Sequence, residues 1–173
     1  MYVVLADRLV GYLMARVPDR ATAEDLLEAT FLELLQHGHT IRGGAAAIKV
    51  WLFRAAHFNA LDHLRKVQRR AEDLCDDVWT LEVADSHRGP EDSAVAGDIS
   101  RRVRKTMAEL SEDQRQVLLL RYVGGLSASE TGRVLSKSDG AVRSLQHRGE
   151  RALARLLDEE ADQAVPPARG EAS

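Results

Sequence analysis

A chain of 173 residues with 45% hydrophobic and 5% aromatic content has room for one domain or two small ones, with the composition of a soluble globular protein. No apolar run approaches the ~20 residues needed to span a bilayer, and the start MYVVLADRLVGY has neither a basic leader nor a small-residue cleavage site, so a cytoplasmic protein without a secretion signal is expected. Cys75 is the single cysteine, which excludes an internal disulfide and a thiolate zinc cluster, and the six histidines are scattered, so no metal or other cofactor is expected.

The net charge of −3 conceals an alternation along the chain. Residues 1–48 carry −2, residues 49–70 +5, residues 71–100 −8, residues 101–157 +6 and the tail from Asp158 −4. Two basic islands separated by an acidic strip point to an anionic partner for each island.

The spacing of Leu5, Leu9, Tyr12 and Leu13 predicts a first helix over 3–16, broken at Pro18-Asp19. A second helix is expected over about 22–37, with Thr22 as its cap and Glu24 and Asp25 suiting its positive N-terminal end. Leu26, Leu27, Thr30, Phe31, Leu34 and Leu35 would form its buried stripe, leaving Asp25 and Glu28 on the other face. Gly38 and Gly43-Gly44 mark a loop. The stretch KVWLFRAAHFNALDHLRKVQRR, residues 49–70, then reads as a helix with an aromatic root and a basic far end. Trp51, Leu52, Ala55 and Phe58 are expected to hold it in a core. Asn59, Asp62, His63 and Lys66 share another face, a placement that equally fits a solvated surface with an Asp62–Lys66 pair.

Residues 71–100 read as an acidic linker with a weak apolar pattern that includes Trp79. Beyond it, Ser111 to Gln114 and Ser127 to Glu130 both have the form of a capping box. The first opens a helix carrying Val117, Leu118, Leu120 and Tyr122 that stops at Gly124-Gly125. The second opens a short helix ending near Leu135, and a tight turn at 136–139 leads to a last helix over about 140–157. A short capped helix, a turn and a longer helix bearing Arg143, His147, Arg148 and Arg151 match a helix-turn-helix, although a purely structural helical hairpin has the same pattern. The +6 charge favours DNA. Period-two alternation is absent, so the fold class is all-α: two small helical domains, 1–70 and 101–157, joined by the acidic linker 71–100, the second a helix-turn-helix without a wing, and a disordered tail at 158–173.

Three segments resemble a known family. WLFRAAHFNALDHLRK is similar to the promoter-recognition helix of the extracytoplasmic-function (ECF) group of bacterial RNA polymerase sigma factors, within the sigma-70 family. AEDLLEATFLELL resembles that group's polymerase-binding helix, usually close to AEDLVQETFLRAW, and residues 110–153 resemble its C-terminal domain. The resemblance implies that residues 1–70 are region 2 and residues 101–157 region 4 of such a subunit. It implies that Asp25, Leu26 and Glu28 meet the clamp of the largest polymerase subunit. The helix with Asn59, Asp62, His63, Arg65, Lys66, Arg69 and Arg70, and the loop before it, would then bind the minus-ten element as its strands separate. Arg143, Ser144, His147, Arg148 and Arg151 would meet the duplex minus-thirty-five element while their domain sits on the flap of the second large subunit. The implied partners are core RNA polymerase, promoter DNA and an anti-sigma protein, with no membrane insertion.

Physical chemistry fits these roles. Arginine can pair in bidentate fashion with guanine in the major groove, worth roughly 1–3 kcal/mol of discrimination. Side chains such as Arg69, Arg70 and Arg151 suit phosphates, which position without specifying. Departures from the family pattern are Ala29 in place of glutamate, the alanine-rich loop IRGGAAAIKVW, and polar Thr131, Lys137 and Gln146 at positions normally apolar. Leu145 stands where a basic residue is common, and Gly149 replaces alanine at about 1 kcal/mol in helix propensity; together these predict a C-terminal domain of reduced stability. A Ser/His/Asp set, a metal cluster and a phosphate-binding P-loop are missing, so no enzyme activity is expected. The competing readings are a free-standing helix-turn-helix regulator and a sigma-like module that only sequesters a partner.

Overall fold

The structure, a computed structural model, describes residues 2–75 and 105–164. These residues are all-helical, as expected: α1 (Tyr2–Met14), α2 (Arg20–His37), a 3-10 turn (Gly38–Thr40), α3 (Gly44–Cys75), a helical turn at 105–108, α4 (Glu112–Leu118) running into a π-helical turn (Leu119–Val123), α5 (Ala128–Leu135) and α6 (Asp139–Ala164). The second half is a helix-turn-helix with no strand, and hence no wing, among the described residues.

Local chemistry sets the helix ends. Pro18 follows α1, and the cap of α2 is Asp19, not Thr22. Its two carboxylate oxygens accept from the backbone N–H and the hydroxyl of Thr22, each at 2.8 Å. An ionised carboxylate one turn earlier outcompetes a hydroxyl for the free N–H groups, and those bonds hold the Asp19 carboxyl below its usual range. Both capping boxes form: Ser111 and Gln114 at α4, Ser127 and Glu130 at α5. Gly124 N–H bonds to Leu119 C=O and Leu126 N–H to Leu120 C=O, so the chain leaves α4 through one wide turn rather than a regular helix end. Ser136, at φ 55°, closes α5 in the left-handed region.

Several stripes are rotated from their expected positions. In α3 the buried residues are Val50, Leu52, Phe53, Ala56, His57 and Ala60, while Phe58 is 45% exposed. Ala56 and Ala60 are small enough for neighbouring helices to approach closely, which turns Phe58 outward. In α2, Leu26, Leu27, Thr30, Phe31 and Leu34 face the core, but Leu35 is 80% and Leu32 51% exposed. Tyr122 is also exposed, its hydroxyl donating to Glu150.

Two helices outrun their expected ends. α3 continues past Arg70 to Cys75, with Gln68 donating to Glu72 one turn on. α6 continues past Leu157 to Ala164 because no glycine or proline follows until Pro166, and Arg155 pairs with Glu159. Residues 71–75 and 158–164, expected as linker and tail, are therefore helical. The rest of both segments, Trp79 included, lies outside the described residues.

The two helical sets share one core. Leu9, Tyr12 and Leu13 of α1 and Leu52 and Phe53 of α3 cluster with Leu119, Leu120, Leu126 and Val134 from beyond the linker. A Cβ on Gly124 would sit 2.9 Å from Phe53 Cε1, so only glycine permits this approach. Two ion pairs bridge the sets, Lys49 Nζ to Glu130 Oε1 at 2.6 Å and Arg16 Nη1 to Glu112 Oε1 at 3.0 Å. Burying each leucine or phenylalanine contributes about 1.5–3 kcal/mol, whereas in these partly buried ion pairs the attraction is largely offset by desolvation of the charges. Apolar burial therefore drives the association, and the ion pairs set its register.

The polar departures in the C-terminal half are mostly compensated. Lys137 pairs with Asp113 at 3.0 Å, and Gln146 accepts from Arg121 and donates to Glu150 and the Tyr122 hydroxyl. Gly149 is buried, and an added Cβ would lie 3.2 Å from Leu118 and 3.3 Å from Gln114, so its cost in propensity accompanies a close α4–α6 contact. Thr131 alone keeps a buried hydroxyl with no hydrogen-bond partner among the described residues.

Candidate nucleic-acid and polymerase interfaces

Helix α3 has 32 residues and is about 48 Å long at 1.5 Å per residue. Its outer end is basic and solvated: Asp62, Arg65, Lys66, Arg69 and Arg70 are all exposed, and His63 is half-buried. Asp62 accepts from Arg65 at 3.2 Å, so its helix partner is Arg65 and not Lys66. Asn59 behaves differently from the rest of the predicted set. It is half-buried, and its amide nitrogen donates to Glu33 Oε1 at 2.8 Å and to Thr30 Oγ1 at 3.3 Å. Both amide N–H groups are thereby committed to α2, so Asn59 positions α3 rather than presenting its amide outward. At the start of α3, Gly43 and Gly44 hold φ values of 113° and 69°, which glycine adopts without strain.

On α2, Asp25 and Glu28 are exposed, whereas Leu26 turns into the core. Leu32 and Leu35, four and seven residues after Glu28, extend that exposed face with apolar surface. The sequence signal for this was available: Glu28, Leu32 and Leu35 lie along one helical row, but Leu35, beside Leu34, read as part of the buried stripe.

Helix α6 starts after Ser138, whose hydroxyl accepts from Ala141 N–H at 3.2 Å. Arg143, Ser144, His147, Arg148 and Arg151 are all exposed, while Val142 is buried and Leu145 half-buried beneath them. All five predicted residues therefore come together on one outward face. The Arg121–Gln146 bond at 2.9 Å clamps α6 to the π turn from the opposite side.

A buried polar cluster was not singled out in the sequence. The Tyr12 hydroxyl lies 2.9 Å from His57 Nδ1, and the Arg16 guanidinium sits 5.9 Å from the Tyr12 ring while pairing with Glu112. Burial pushes the His57 imidazole down to about 4, the Arg16 charge adds to this and Glu112 opposes it. Burial raises the Tyr12 phenol above its ordinary value. Burial would raise the Glu112 carboxyl, but hydrogen bonding from Gln116 and the charges of Arg16 and Arg115 leave it lowered; Glu130 is lowered likewise, by Lys49 and the Ser127 N–H against its own burial.

Comparison with known proteins gives a consistent result. The sigma-70 region 2 family matches residues 1–71 and the sigma-70 region 4 family residues 100–153. The chain is 34% identical over 164 residues to the ECF RNA polymerase sigma factor BldN of Streptomyces coelicolor, covering 93% of this chain and 60%, less than two thirds, of BldN. It is 33% identical over 160 residues to SigX of Bacillus subtilis (91% and 82% covered) and 45% identical over 155 residues to ShbA of Streptomyces griseus (88% and 80%), both ECF RNA polymerase sigma factors. The fold is similar to that of RpoE from Bartonella quintana, solved with the anti-sigma factor NepR, at a TM-score of 0.71 and 23% identity over 90% of this chain and 93% of that one.

Proposed function

Since the chain belongs to the ECF RNA polymerase sigma factors of the sigma-70 family, we propose that it binds core RNA polymerase and directs promoter-specific initiation. The observation that carries this is the presence of two exposed basic faces on one chain, the outer end of α3 and the row Arg143–Arg151 of α6. A helix-turn-helix regulator needs only the second and leaves α3 without a task.

In this reading residues 1–70 act as region 2 and residues 101–157 as region 4. Asp25, Glu28, Leu32 and Leu35 form the contact with the clamp of the largest subunit, an apolar centre with an acidic rim. Leu26 supports that face from beneath. The exposed end of α3 follows the non-template strand of the minus-ten element, with Arg65, Lys66, Arg69 and Arg70 on phosphates and Asp62 and His63 near the bases. Arg143, Ser144, His147 and Arg148 read the minus-thirty-five duplex, and Arg151 takes a phosphate. The polymerase does the chemistry and the chain supplies no catalytic group or cofactor. No described helix is long and apolar enough to cross a membrane, and the place of action is the cytoplasm, where polymerase and promoter are. An anti-sigma protein is the expected negative regulator.

The test adds purified protein to core polymerase on genomic template and maps transcript starts. New starts sharing two sequence elements support the proposal. Duplex binding without polymerase and without new starts would favour the free-standing regulator, and neither would favour the sequestering module.

A further inference from the structure

We propose that the cleft between the two halves binds a carboxylate with an apolar body, held by Arg16, and that the bound ligand clamps the halves together. Binding is a property of the free chain; its consequence for initiation rests on the sigma-factor reading.

The cleft has a volume of about 790 Å³, within the range of sites for small organic molecules. Met14 at the end of α1 and Val17 in the turn after it line one side, and Met107, Leu118 and Leu153 of the second half line the other. Such walls suit an apolar body and offer little to an inorganic ion. Two arginines, Arg16 and Arg115, line the same cleft. The Arg16 side chain is 2% exposed, and its Nη1 pairs with Glu112 at 3.0 Å. Its Nε and Nη2, on the edge that Glu112 does not use, are buried with no hydrogen-bond partner among the described residues. Arg115 commits Nη1 to Glu112 and Nη2 to the carbonyls of Ala108 and Leu110, and its Nε is likewise buried without a partner among the described residues.

The Nε–H and one Nη2–H of a guanidinium are parallel and match the two oxygens of a carboxylate. Such a fork, buried and unpaired, is destabilising until an acceptor reaches it. Glu112 is shared by both arginines, so the three groups carry one net positive charge, which a single carboxylate neutralises. Glu150 also lines the cleft, but its carboxylate accepts from the Tyr122 hydroxyl and the Gln146 amide and lies in the field of Arg121. The ligand class follows: an acid head at Arg16 and a chain or ring along Met14, Leu118 and Leu153. Residues of both halves enclose it, so the ligand binds while the halves are together and, by linkage, favours that state. In the proposed function the halves serve two separate promoter elements, and a ligand that clamps them opposes initiation.

Decanoate is the probe, titrated by calorimetry into the full chain, with decanol as its uncharged counterpart. Decanoate should occupy one site and bind roughly 10- to 150-fold more tightly than decanol, the range for a hydrogen bond to a charged group. Arg16→Met, which keeps an apolar stem and loses the fork, should remove that difference. Leu153→Trp, which fills the cleft from a half-buried position, should weaken both ligands; circular dichroism checks that each variant keeps its helices. A Lys49→Glu chain, loosened where the halves meet, should regain compactness with decanoate in small-angle scattering. No saturable binding, equal affinity for decanol, or undiminished binding by Leu153→Trp would each overturn the site. Holoenzyme assembled from core polymerase and the full chain then tests the clamp. Wild-type holoenzyme that gives no promoter-specific transcripts without ligand would refute the sigma-factor reading and leave the binding result standing. Where transcripts form, decanoate should reduce them with wild type and not with Arg16→Met; a wild-type yield unchanged by saturating decanoate would overturn the clamp.

Discussion

Mild acid should destabilise this protein through His57 before its carboxylates respond. The imidazole is 5% exposed, with the Tyr12 hydroxyl 2.9 Å from Nδ1, the Arg16 charge nearby and Glu112 beyond it. Burial and Arg16 lower its folded value to about 4 from an ordinary 6.5. Between those values the unfolded chain binds a proton that the folded chain refuses, so stability rises with pH across this window and is lost as pH falls through it. Linkage gives a loss of about 2 kcal/mol between pH 7 and pH 5. Glu112 and Glu130, held below their ordinary values, contribute stability that is lost only at lower pH, as each is protonated. The control is His57→Asn, whose side-chain oxygen can still accept from Tyr12 but does not titrate. Urea unfolding followed by far-UV circular dichroism at pH 7, 6 and 5 should show the wild type weakening by about 2 kcal/mol and the variant staying nearly flat. Parallel curves for the two proteins would refute the assignment.

Other substitutions separate the remaining roles. Leu35→Arg should abolish binding to core polymerase, measured by native gel or interferometry, with thermal stability unchanged because Leu35 is 80% exposed. Asn59→Ala should lower stability by about 1 kcal/mol in denaturant titration, since it removes two inter-helix hydrogen bonds, and should weaken all promoters alike. Arg143→Ala should cost roughly 1–3 kcal/mol on the preferred minus-thirty-five duplex and relax its sequence choice, whereas Arg151→Ala should weaken all duplexes and reduce the salt slope by about 1. Reversing Lys49 and Glu130 one at a time should loosen the contact between the halves, seen as a larger radius of gyration by small-angle scattering; reversing both should restore it.

Features decided within four residues were legible in the sequence. Both capping boxes formed as written because their donors and acceptors are local, and the α6 row faced outward because Val142 fixes which side is buried. Features decided by distant partners were not. The roles of Phe58 and Asn59 turn on one step of rotation about α3, about 100°, and that rotation is set by Thr30 and Glu33 on another helix. His57 was one of six scattered histidines until Tyr12 and Arg16 were placed around it. Leu120 read as an apolar residue of its helix, but periodicity cannot say whose core it enters, and the chain uses it with Leu119 to join its two halves. Asp19 looked like a helix breaker beside Pro18 and proved to be the cap.

The shared core also imposes a limit of length. The minus-ten and minus-thirty-five elements are by their names about 25 base pairs apart, which is ~85 Å of straight duplex at 3.4 Å per step. With Lys49 and Glu130 in contact, the path from Asp62 to Arg143 through that pair is no more than about 60 Å. In this state Asp62 and Arg143 are therefore closer together than the centres of the two elements on a straight duplex. The 29 residues from 76 to 104, drawn out fully, would reach about 100 Å. In the proposed function, that contour length is enough for the two halves to stand a promoter's length apart once their shared core is opened.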